Sequence, residues 1–454
     1  MRQYYLIIGC ARSGVATTNF LLDKGEKVIL TDNKEEALIV ESFPEVLELK
    51  KNPNLKLIFG TQPDLCTLDE IREIILSPGV PLTLPILKKA REEKINIISE
   101  IELAYRYSKA PIIAITGTNG KTTTTTLVGE IYKHSGRETF VVGNIGDPII
   151  KYVDEANKED IFIAEISSFQ LETVEKFKPR MATILNISSD HLDRHKTMEN
   201  YISAKYRIRE NMTEDGFFLI NKDDPILSSR LISDINLLEF SLKEKVKRGA
   251  YYDGEFIKVV DHNEEYTICS GKELKIPGMH NVQNALAAVV LSYFGGVELE
   301  VIRETLISFM GVEHRLEFVK EVDGITFIND SKGTNTDAST IAIKALKPPI
   351  VLIAGGYDKR VSFDEWMDSL LGKVKTLVVL GDTADQILET AQRKNFKNIL
   401  KVDTFKNAVL EAYKNAEKGD TVLLSPACAS WGMFKDFEER GRVFKEIVQR
   451  IGGK

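Results

Sequence analysis

Short apolar runs alternate with amphipathic segments along most of the chain. The apolar runs have the length of buried strands, and apolar residues recur at helical spacing between them. Such alternation predicts parallel sheets joined by right-handed helical crossovers, which is an α/β fold. The clearest predicted strands are residues 4–8, 28–32, 111–116, 160–165, 181–186, 325–329, 350–354, 376–380 and 421–424.

The chain has 454 residues, too many for a single hydrophobic core, so we expect two to four domains. The pattern divides into segments 1–107, 108–310 and 311–454. The first and last segments alternate strands and helices as Rossmann-like domains do. The middle segment opens with a phosphate-loop pattern and predicts a parallel-sheet domain of the ATPase type, with short strands and turns over residues 215–275.

A glycine-framed loop follows the predicted strand 111–116. It spans Gly117–Thr122 with the sequence GTNGKT and leads into a predicted helix. Loop amides and a helix N-terminus bind phosphate, the lysine adds a mobile positive charge, and the threonine hydroxyl can reach Mg²⁺. The loop is shorter than G-x-x-x-x-G-K-[ST], which argues against an ordinary GTPase or kinase. A plain strand-to-helix turn is the alternative, but it needs no lysine followed by a hydroxyl.

Acidic and histidine side chains follow neighbouring predicted strands. Glu165 ends its strand, where phosphate-loop folds place a metal-binding acid, although it could instead cap the following helix. Two of the six histidines, His191 and His195, lie beside Asp190 in a later loop. Histidine with carboxylate suits a divalent metal and phosphate transfer. A surface histidine on a polar loop is the plainer interpretation.

The first segment carries an incomplete dinucleotide fingerprint. The turn Gly9–Gly14 follows strand 4–8, and Asp32 ends the next strand. A glycine turn of this kind binds a diphosphate, and the acid contacts a ribose. Ala11 stands where the second glycine belongs, so the pattern is weak evidence for NAD and better evidence for a nucleotide diphosphate near Arg12. A doubly wound domain without a ligand is the alternative.

Other polar positions have less specific patterns. Asn284 lies in the first turn of a predicted apolar helix, where an amide caps the helix or faces a ligand. Lys205 lies on another predicted helix, and its spacing alone predicts a solvated lysine. Polar loops follow three predicted strands of the last segment, and ligands bind at such strand ends. These loops are 330–335, 355–359 and 425–430.

Composition excludes several classes of protein. The net charge is -7, from 60 basic and 67 acidic residues without a block of like charge, so we expect neither nucleic acid nor a membrane as partner. The four cysteines are scattered and predict free thiols in a reducing compartment, without structural zinc. The first apolar run is too short for a signal segment. We therefore expect a cytoplasmic protein, and a monomer.

Taken together, the motifs resemble those of the Mur ligases over the whole chain, most closely the members that add D-glutamate. The matching stretches are 117–122, 165–171, 190–194, 314–315, 330–335 and 424–430, with Phe437 and 440–441. The first stretch is shared with folylpolyglutamate synthases. The stretch 424–430 with its downstream residues looks specific to the D-glutamate branch.

The resemblance implies three domains, which in chain order bind the UDP of the substrate, ATP and the amino acid. It implies that ATP phosphorylates the carboxylate of UDP-N-acetylmuramoyl-L-alanine and that the amine of D-glutamate attacks the acyl phosphate. The implied pathway is peptidoglycan precursor synthesis. Two Mg²⁺ sites are implied as well, with carbamylation turning Lys205 into an anionic ligand, which reverses the solvated interpretation of that lysine.

Each site residue follows from the resemblance, position by position. The implied catalytic residues are Lys121, Glu165, His191 and Lys205. The implied ATP-binding residues are Gly117, Thr118, Asn119, Gly120, Lys121, Thr122, Thr123, Asn284, His314, Arg315 and Asp330. The implied residues for the UDP substrate are Arg12, Ser13, Gly14, Asp32, Asn33, Asn144 and His191. The implied amino-acid-binding residues are Lys332, Thr334, Lys359, Ser430 and Phe437. The implied metal ligands are Thr122, Glu165, His191 and Lys205.

Two departures from the family pattern bear on the choice of amino acid. Gly333 stands where an alanine is usual, and Gly432 where an aspartate is common. The alternative functions are another Mur ligase step, a folylpolyglutamate synthase, a nicotinamide oxidoreductase and a nucleotide-binding switch. The oxidoreductase leaves the phosphate loop and Glu165 unexplained, and the switch leaves the long third segment unexplained.

Overall fold

A computed structural model describes residues 2–61, 65–230, 235–358 and 361–452. The chain forms two compact units, Met1–Leu274 with Met279–Phe309, and Lys275–Gly278 with Met310–Lys454. The first unit contains two sheets and the second contains one, and helices connect most of the strands, as the α/β prediction requires. Within the described ranges, no helix is both long enough and apolar enough to span a membrane.

Residues from Tyr4 to Tyr107 form the first sheet and its helices. The elements are β1 (Tyr4–Ile8), α1 (Arg12–Asp23), β2 (Lys27–Asp32), α2 (Glu36–Ser42), α3 (Val46–Leu49), β3 (Leu55–Phe59), β4 (Ile71–Leu76), α4 (Pro85–Glu92), β5 (Asn96–Ser99) and α5 (Glu100–Tyr107). All five strands are parallel, in the order β3-β2-β1-β4-β5. The order reverses beside β1, so the loop after β1 lies where doubly wound sheets bind ligands.

The second sheet of the first unit has nine strands, in the order β14-β13-β12-β11-β10-β9-β6-β8-β7. Its elements are β6 (Ile112–Thr116), α6 (Lys121–His134), β7 (Thr139–Gly143), β8 (Ile161–Glu165), α7 (Ser168–Leu171), β9 (Met181–Ile184), α8 (Leu192–His195), α9 (Met198–Tyr206), β10 (Phe217–Asn221), α10 (Pro225–Ser228), β11 (Asn236–Ser241), β12 (Gly249–Tyr252), β13 (Phe256–Asp261), β14 (Glu264–Ser270), α11 (Met279–Tyr293) and α12 (Leu299–Ser308). Since β6 pairs in parallel with β8 and β9, the loops after these three strands meet at one sheet edge.

The second unit contains a six-stranded sheet, in the order β15-β16-β20-β17-β18-β19. Its elements are β15 (Glu317–Val322), β16 (Ile325–Asn329), α13 (Thr336–Ala345), β17 (Ile350–Ala354), α14 (Asp364–Leu370), β18 (Val374–Val379), α15 (Ala384–Arg393), β19 (Ile399–Lys401), α16 (Phe405–Lys414), β20 (Thr421–Leu424) and α17 (Phe437–Arg450). Separate apolar clusters cover its two faces. Both faces are therefore buried, as expected for a largely parallel sheet.

Antiparallel pairings at the sheet edges depart from the parallel arrangement predicted from the sequence. They join β12 to β13, β13 to β14, and β15 to β16. Each connection is only two or three residues long, which is too short for a crossover. The turn between β15 and β16 is Asp323-Gly324, and both residues have positive φ, as two-residue hairpins require.

A buried carboxylate, that of Glu102, fixes helix α5 to the part of the first unit that contains the second sheet. Glu102 Oε2 accepts hydrogen bonds from the backbone N–H groups of residues 175, 176 and 177, at 2.9, 2.9 and 2.8 Å. Arg106 donates to Glu102 Oε1 and to Glu73 Oε1, both at 2.8 Å. Since every oxygen of this carboxylate has a partner, Glu102 stabilises the join between the two sheets.

A second carboxylate on α5 is buried without a cationic partner among the contacts described. Glu100 Oε1 accepts a hydrogen bond from Ile150 N–H at 2.8 Å, at the start of the short 3-10 helix Ile149–Tyr152. Burial raises the pKa of Glu100 to about 7, although backbone N–H groups of that helix oppose the rise. The native state therefore holds a proton at this carboxyl over a range of pH in which the unfolded chain does not.

Replacing the carboxyl of Glu100 tests how much burial of its ionised form destabilises the native state. Because the native pKa is raised from 4.5 to about 7, the free energy of unfolding falls as pH rises through that window. The Glu100→Gln variant keeps an acceptor for Ile150 N–H but cannot ionise. We expect its gain in unfolding free energy over the wild type to be about 2 kcal/mol larger at pH 8 than at pH 5, from thermal melts at both pH values.

The neighbouring substitution Glu102→Gln is the matched control. It breaks the ion pair with Arg106, so we expect a lower melting temperature at both pH values. A Glu100→Gln gain that is the same at pH 5 and pH 8 would contradict the assignment of the cost to ionisation.

Candidate active site

The loop between β6 and α6 has the backbone that a phosphate-binding turn requires. Gly120 has φ +83°, and a Cβ there would lie 2.3 Å from Asn284 Oδ1, so only glycine fits. The backbone N–H of Asn119 donates to Asn186 Oδ1 at 2.8 Å, which ties the loop to the segment that follows β9. Helix α6 begins at Lys121, and its positive end therefore follows the loop directly. This geometry confirms the predicted strand, loop and helix.

Two lysines donate hydrogen bonds to the same loop carbonyl. Lys121 Nζ donates to Gly117 O at 2.9 Å and to Thr118 O at 2.8 Å. Lys205 Nζ also donates to Gly117 O, at 2.9 Å. Burial lowers the pKa of Lys205 well below its ordinary value, and the charge of Lys121 lowers it further. The neutral amine of Lys205 is thus strongly favoured compared with that of an exposed lysine.

The interpretation of Lys205 as a solvated lysine, from spacing alone, is wrong. Its side chain is only 2% exposed, on the inward face of α9. Tyr201, one turn earlier, is also buried, and Lys205 Nζ lies 4.7 Å from the centroid of its ring. The signal in the sequence was the apolar face of α9, which has residues 201, 202 and 204 inside and continues through position 205.

Glu165 presents a carboxylate oxygen beside the phosphate loop. It ends β8, is 2% exposed, and accepts a hydrogen bond from Asn144 Nδ2 at 2.8 Å through Oε1. Its Oε2 atom is buried and has no hydrogen-bond partner among the described residues. Ser167, rather than Glu165, caps the following helix α7. A buried carboxylate oxygen without a protein partner is costly unless a cation binds it, so Glu165 fits a metal ligand.

His191 and Thr122 complete the predicted metal-binding set in the first unit. His191 lies in a left-handed backbone conformation, with φ +53°, at the start of α8. Its ring centroid is 4.8 Å from that of Phe169, and its Nε2 is 3.4 Å from Asp190 Oδ2. Thr122 is buried in the first turn of α6, followed by the buried Thr123. The half-exposed imidazole leaves this side of the site open to a ligand.

The turn after β1 is closely packed, as a diphosphate-binding turn is. A Cβ at Gly14 would lie 1.9 Å from Gly9 O, so the start of α1 approaches the end of β1. Ser13 Oγ donates to Ser77 Oγ at 3.3 Å. Asp32 accepts hydrogen bonds from Cys10 N–H at 2.7 Å and from a backbone N–H two residues downstream at 3.0 Å. Asp32 therefore holds together the loops that follow β1 and β2.

The other residues predicted to bind the UDP group lie beside the turn after β1. Arg12 is exposed at the start of α1, and Asn33 is exposed directly after β2. A cavity of about 440 Å³ lies along α1 and includes Arg12 and Asp147 in its lining. Arg12, Ser13, Gly14, Asp32 and Asn33 thus follow the ends of β1 and β2, at one edge of the first sheet.

The second unit has its own cluster around Asp330. This carboxyl is buried, and it accepts hydrogen bonds from Ser425 Oγ at 2.7 Å and from Leu316 N–H at 3.3 Å. Burial raises the pKa of Asp330 to about 7, although Ser425 and the charge of Arg315 oppose the rise. A Cβ at Gly333 would lie 2.6 Å from Asp330 Oδ2. The glycine at 333 therefore permits close contact with this carboxyl.

His314 and Phe437 lie near Asp330 within the same unit. His314 is buried, with its Nδ1 2.9 Å from Asn329 Nδ2. A Cβ at Gly441 would lie 2.2 Å from that Nδ1, so α17 packs directly on the imidazole. Lys332 Nζ lies 5.5 Å from the centroid of the Phe437 ring. The predicted Ser430 is buried after β20, Thr334 precedes α13, and Lys359 lies outside the described residues.

Arg440 is a residue whose role the sequence did not indicate, beyond its place in a motif. It is almost fully buried, and it donates hydrogen bonds to Ser331 Oγ at 3.0 Å, to Ser331 O at 2.8 Å and to Cys428 O at 3.2 Å. Burial lowers the pKa of Arg440 to about 10. This guanidinium joins the loop after β16 to the loop after β20, and these loops carry the predicted Lys332 and Ser430.

Comparison with protein families covers most of the chain. Residues 3–99 match the N-terminal domain of Mur ligases of the MurD-like type. Residues 115–292 match the Mur ligase middle domain, and residues 314–428 match the Mur ligase glutamate ligase domain.

Curated relatives match the chain from end to end. The UDP-N-acetylmuramoylalanine–D-glutamate ligase of Thermoanaerobacter sp. (strain X514) is 49% identical over 450 residues, with 98% of each chain covered. The enzyme of the same name from Clostridioides difficile (strain 630) is 43% identical over 449 residues, again with 98% of each chain covered.

Solved structures share the fold at lower identity. The UDP-N-acetylmuramate–alanine ligase MurC of Thermotoga maritima has a TM-score of 0.61 at 20% identity, covering 98% of this chain and 99% of that chain. A pseudomurein peptide ligase of Methanothermus fervidus has a TM-score of 0.58 at 19% identity, covering 99% and 100%. With all three domain models matched in order and relatives of high identity over the full length, the chain belongs to the Mur ligase family.

Proposed function

We propose that the protein joins D-glutamate to UDP-N-acetylmuramoyl-L-alanine at the expense of ATP, in cytoplasmic peptidoglycan precursor synthesis. The relatives that match over 98% of the chain carry this activity in their names. The observation that carries the proposal is that Lys121 and Lys205 share a carbonyl of the phosphate loop, while Glu165 at the end of the neighbouring strand has a buried, unpaired oxygen. ATP use follows from membership of the Mur ligase family.

The chemistry needs an activated carboxylate. A carboxylate is a poor electrophile, so its oxygen attacks the γ-phosphorus of ATP, ADP leaves, and an acyl phosphate forms. The amine of D-glutamate then attacks the acyl carbon and phosphate leaves with the C–O bonding electrons. Both reactants of the first step are negative, and Lys121 supplies positive charge where they approach each other. The helix N-terminus at α6 stabilises the same phosphates.

The residues present fit Mg²⁺ at this position. Thr122, Glu165 and His191 would hold the ions together with a carbamylated Lys205, through hydroxyl, carboxylate and imidazole groups. The unpaired oxygen of Glu165 supports this assignment. When bound, Mg²⁺ would neutralise charge on the phosphates.

Carbamylation of Lys205 has a physical reason in this site. Its amine is buried, and it shares the Gly117 carbonyl with Lys121. Two ammonium groups on one carbonyl repel each other, and burial adds to the cost of the charged form. The neutral amine attacks the carbon of CO₂ and loses a proton, which leaves an anionic carbamate. That anion would attract Lys121 instead of repelling it.

The remaining substrates are assigned to the pockets described above. Arg12, Ser13, Gly14, Asp32 and Asn33 would bind the UDP group, and Asn144 the substrate near the transferred phosphate. In the second unit, His314, Arg315 and Asp330 would bind ATP. The amino-acid-binding residues would be Lys332, Thr334, Lys359, Ser430 and Phe437. We place the domain boundaries at 1–107, 108–310 and 311–454, and we propose a monomer.

The substitution Lys121→Ala tests the phosphate-transfer step. The lysine contacts the loop that holds the phosphates, so we expect loss of about 100-fold or more in kcat, with an unchanged melting temperature. The measurement is phosphate release from ATP and Mg²⁺ with UDP-N-acetylmuramoyl-L-alanine and D-glutamate, with product masses read alongside. Lys133→Ala, on the exposed side of the same helix, is the control and should retain full activity.

Specificity is tested in the same assay with a panel of amino acids. Release that requires D-glutamate supports the full proposal. Phosphate release with another amino acid would support a ligase of different amino-acid specificity. The departures at Gly333 and Gly432 would then be the first positions to examine. Full activity of Lys121→Ala, or no release with any UDP-muramoyl substrate, would overturn the proposal.

Dependence on CO₂ tests the proposed state of Lys205. Removing dissolved CO₂ should lower kcat by about tenfold, and added bicarbonate should restore it, because the carbamate is a metal ligand. The Lys205→Arg variant cannot form a carbamate and should be inactive with or without bicarbonate. Lys133→Arg should respond as the wild type does. A wild-type rate that is independent of CO₂ would exclude the carbamate.

A further inference from the structure

His195 follows His191 by four residues but has no part in the reaction described above. It ends α8 and is 5% exposed. Its Nε2 and Ser168 Oγ share a hydrogen bond of 3.0 Å, and its Nδ1 lies 3.4 Å from Glu172 Oε1. A buried histidine held at both ring nitrogens has a fixed orientation.

The series Ser168, His195, Glu172 has the order of a hydrolase triad, but its surroundings do not suit nucleophilic catalysis. Ser168 is only 3% exposed, in the first turn of α7, so its hydroxyl is shielded from a substrate carbonyl. The second oxygen of Glu172 binds Arg194 Nη2 at 2.6 Å. The arrangement therefore suits a rigid support better than a nucleophile.

Hydrogen-bond chemistry assigns the proton on the ring. Burial lowers the pKa of His195, although the charge of Glu172 opposes the change. A neutral imidazole has one donor and one acceptor, and a carboxylate can only accept. Nδ1 therefore carries the proton and faces the Glu172 carboxylate, and Nε2 accepts from the Ser168 hydroxyl. Each neighbour matches the role of the nitrogen that faces it.

Aromatic contacts continue from His195 in two directions. The Phe169 ring centroid lies 5.5 Å from that of His195 and 4.8 Å from that of His191. On the other side, the Tyr201 ring lies 5.3 Å from His195, and Lys205 Nζ lies 4.7 Å from the Tyr201 ring. His195 is thus the central member of an unbroken series of contacts from His191 to Lys205.

The same series reaches the phosphate loop. The Tyr201 hydroxyl lies 3.0 Å from Thr118 Oγ1, within hydrogen-bonding distance. The Thr118 hydroxyl also accepts from Ser188 N–H at 3.0 Å, in the loop that precedes α8. These contacts hold the phosphate loop, the segment before α8 and helix α9 together on the side of the site where His195 lies.

We propose that His195 is a positioning residue, which holds His191 and Lys205 at fixed places beside the phosphate loop. The inference rests on the proposed function, since it assigns His195 to that same reaction. His195 contacts no reacting atom in this arrangement. It acts through Phe169 and Tyr201, whose rings pack on either side of it.

Replacement of the ring nitrogens tests this role. His195→Phe keeps an aromatic ring between Phe169 and Tyr201 but removes the hydrogen bond with Ser168 and the contact with the Glu172 carboxylate that orient the ring. We expect kcat to fall by about 10- to 100-fold and the Mg²⁺ concentration for half-maximal rate to rise severalfold, since second-shell changes have effects of that size. The KM for D-glutamate should stay within about twofold, because that substrate is assigned to the second unit.

A binding measurement accompanies the rates. Calorimetry of a non-hydrolysable ATP analogue with Mg²⁺ should give weaker binding to His195→Phe than to the wild type. The matched control is His134→Phe, which removes a histidine hydrogen bond of 2.9 Å to Thr305, far along α6 from the loop. It should leave the rates, the Mg²⁺ dependence and the binding unchanged.

Ser168→Ala decides the matter if His195→Phe does not fold. It removes one hydroxyl, and we expect kcat and Mg²⁺ dependence to change in the same directions by about threefold. Normal kcat and Mg²⁺ dependence in the folded variants would overturn the inference while the ligase stands. A lower apparent kcat with unchanged Mg²⁺ dependence would also overturn the inference. That pattern arises when a smaller fraction of the variant is folded and the folded fraction has a normal site. A wild type without ligase activity would instead reject the proposed function.

Discussion

The carbonyl oxygen of Gly117 accepts hydrogen bonds from Lys121 and Lys205, and the site in the first unit is organised around that shared contact. Two amines so close together cannot both carry a charge cheaply, least of all when one of them is buried. We propose that an anion restores the balance, either a phosphate bound at the loop or a carbamate on Lys205. The positive end of α6 favours the same outcome. Where no anion is bound, burial and the charge of Lys121 favour the neutral amine of Lys205.

Buried carboxylates in the first unit differ in how their oxygens are satisfied. Glu102 has protein donors on both oxygens and joins two sheets. Glu165 has a donor on one oxygen only, and the other is buried beside the phosphate loop. Burying a carboxylate oxygen without a partner is costly, so the two residues differ in whether protein donors offset that cost. Full pairing indicates a structural role, and we propose that the unpaired oxygen of Glu165 binds a cation.

The second unit positions its residues through close packing around large buried polar groups. Arg440 joins two loops by three hydrogen bonds, and glycines at 333 and 441 permit contacts that a Cβ would prevent. Asp330 lies at the centre of this packing, with Ser425 as its donor. Small residues and one guanidinium thus set the shape of the predicted nucleotide and amino-acid sites in that unit.

The sequence by itself determined the alternation of strands and helices, the phosphate loop and the strand-end position of Glu165, because local spacing and turn chemistry fix these features. It also carried the motifs that identify the family. It did not determine the burial of Lys205, the pairing of His195 with Ser168, or the joining of two loops by Arg440. Those depend on residues that are 27, 88 or 109 positions apart, brought together only when α7, α9 and α17 pack. Desolvation, and with it the chemistry of Lys205, is a property of the packed fold and not of spacing.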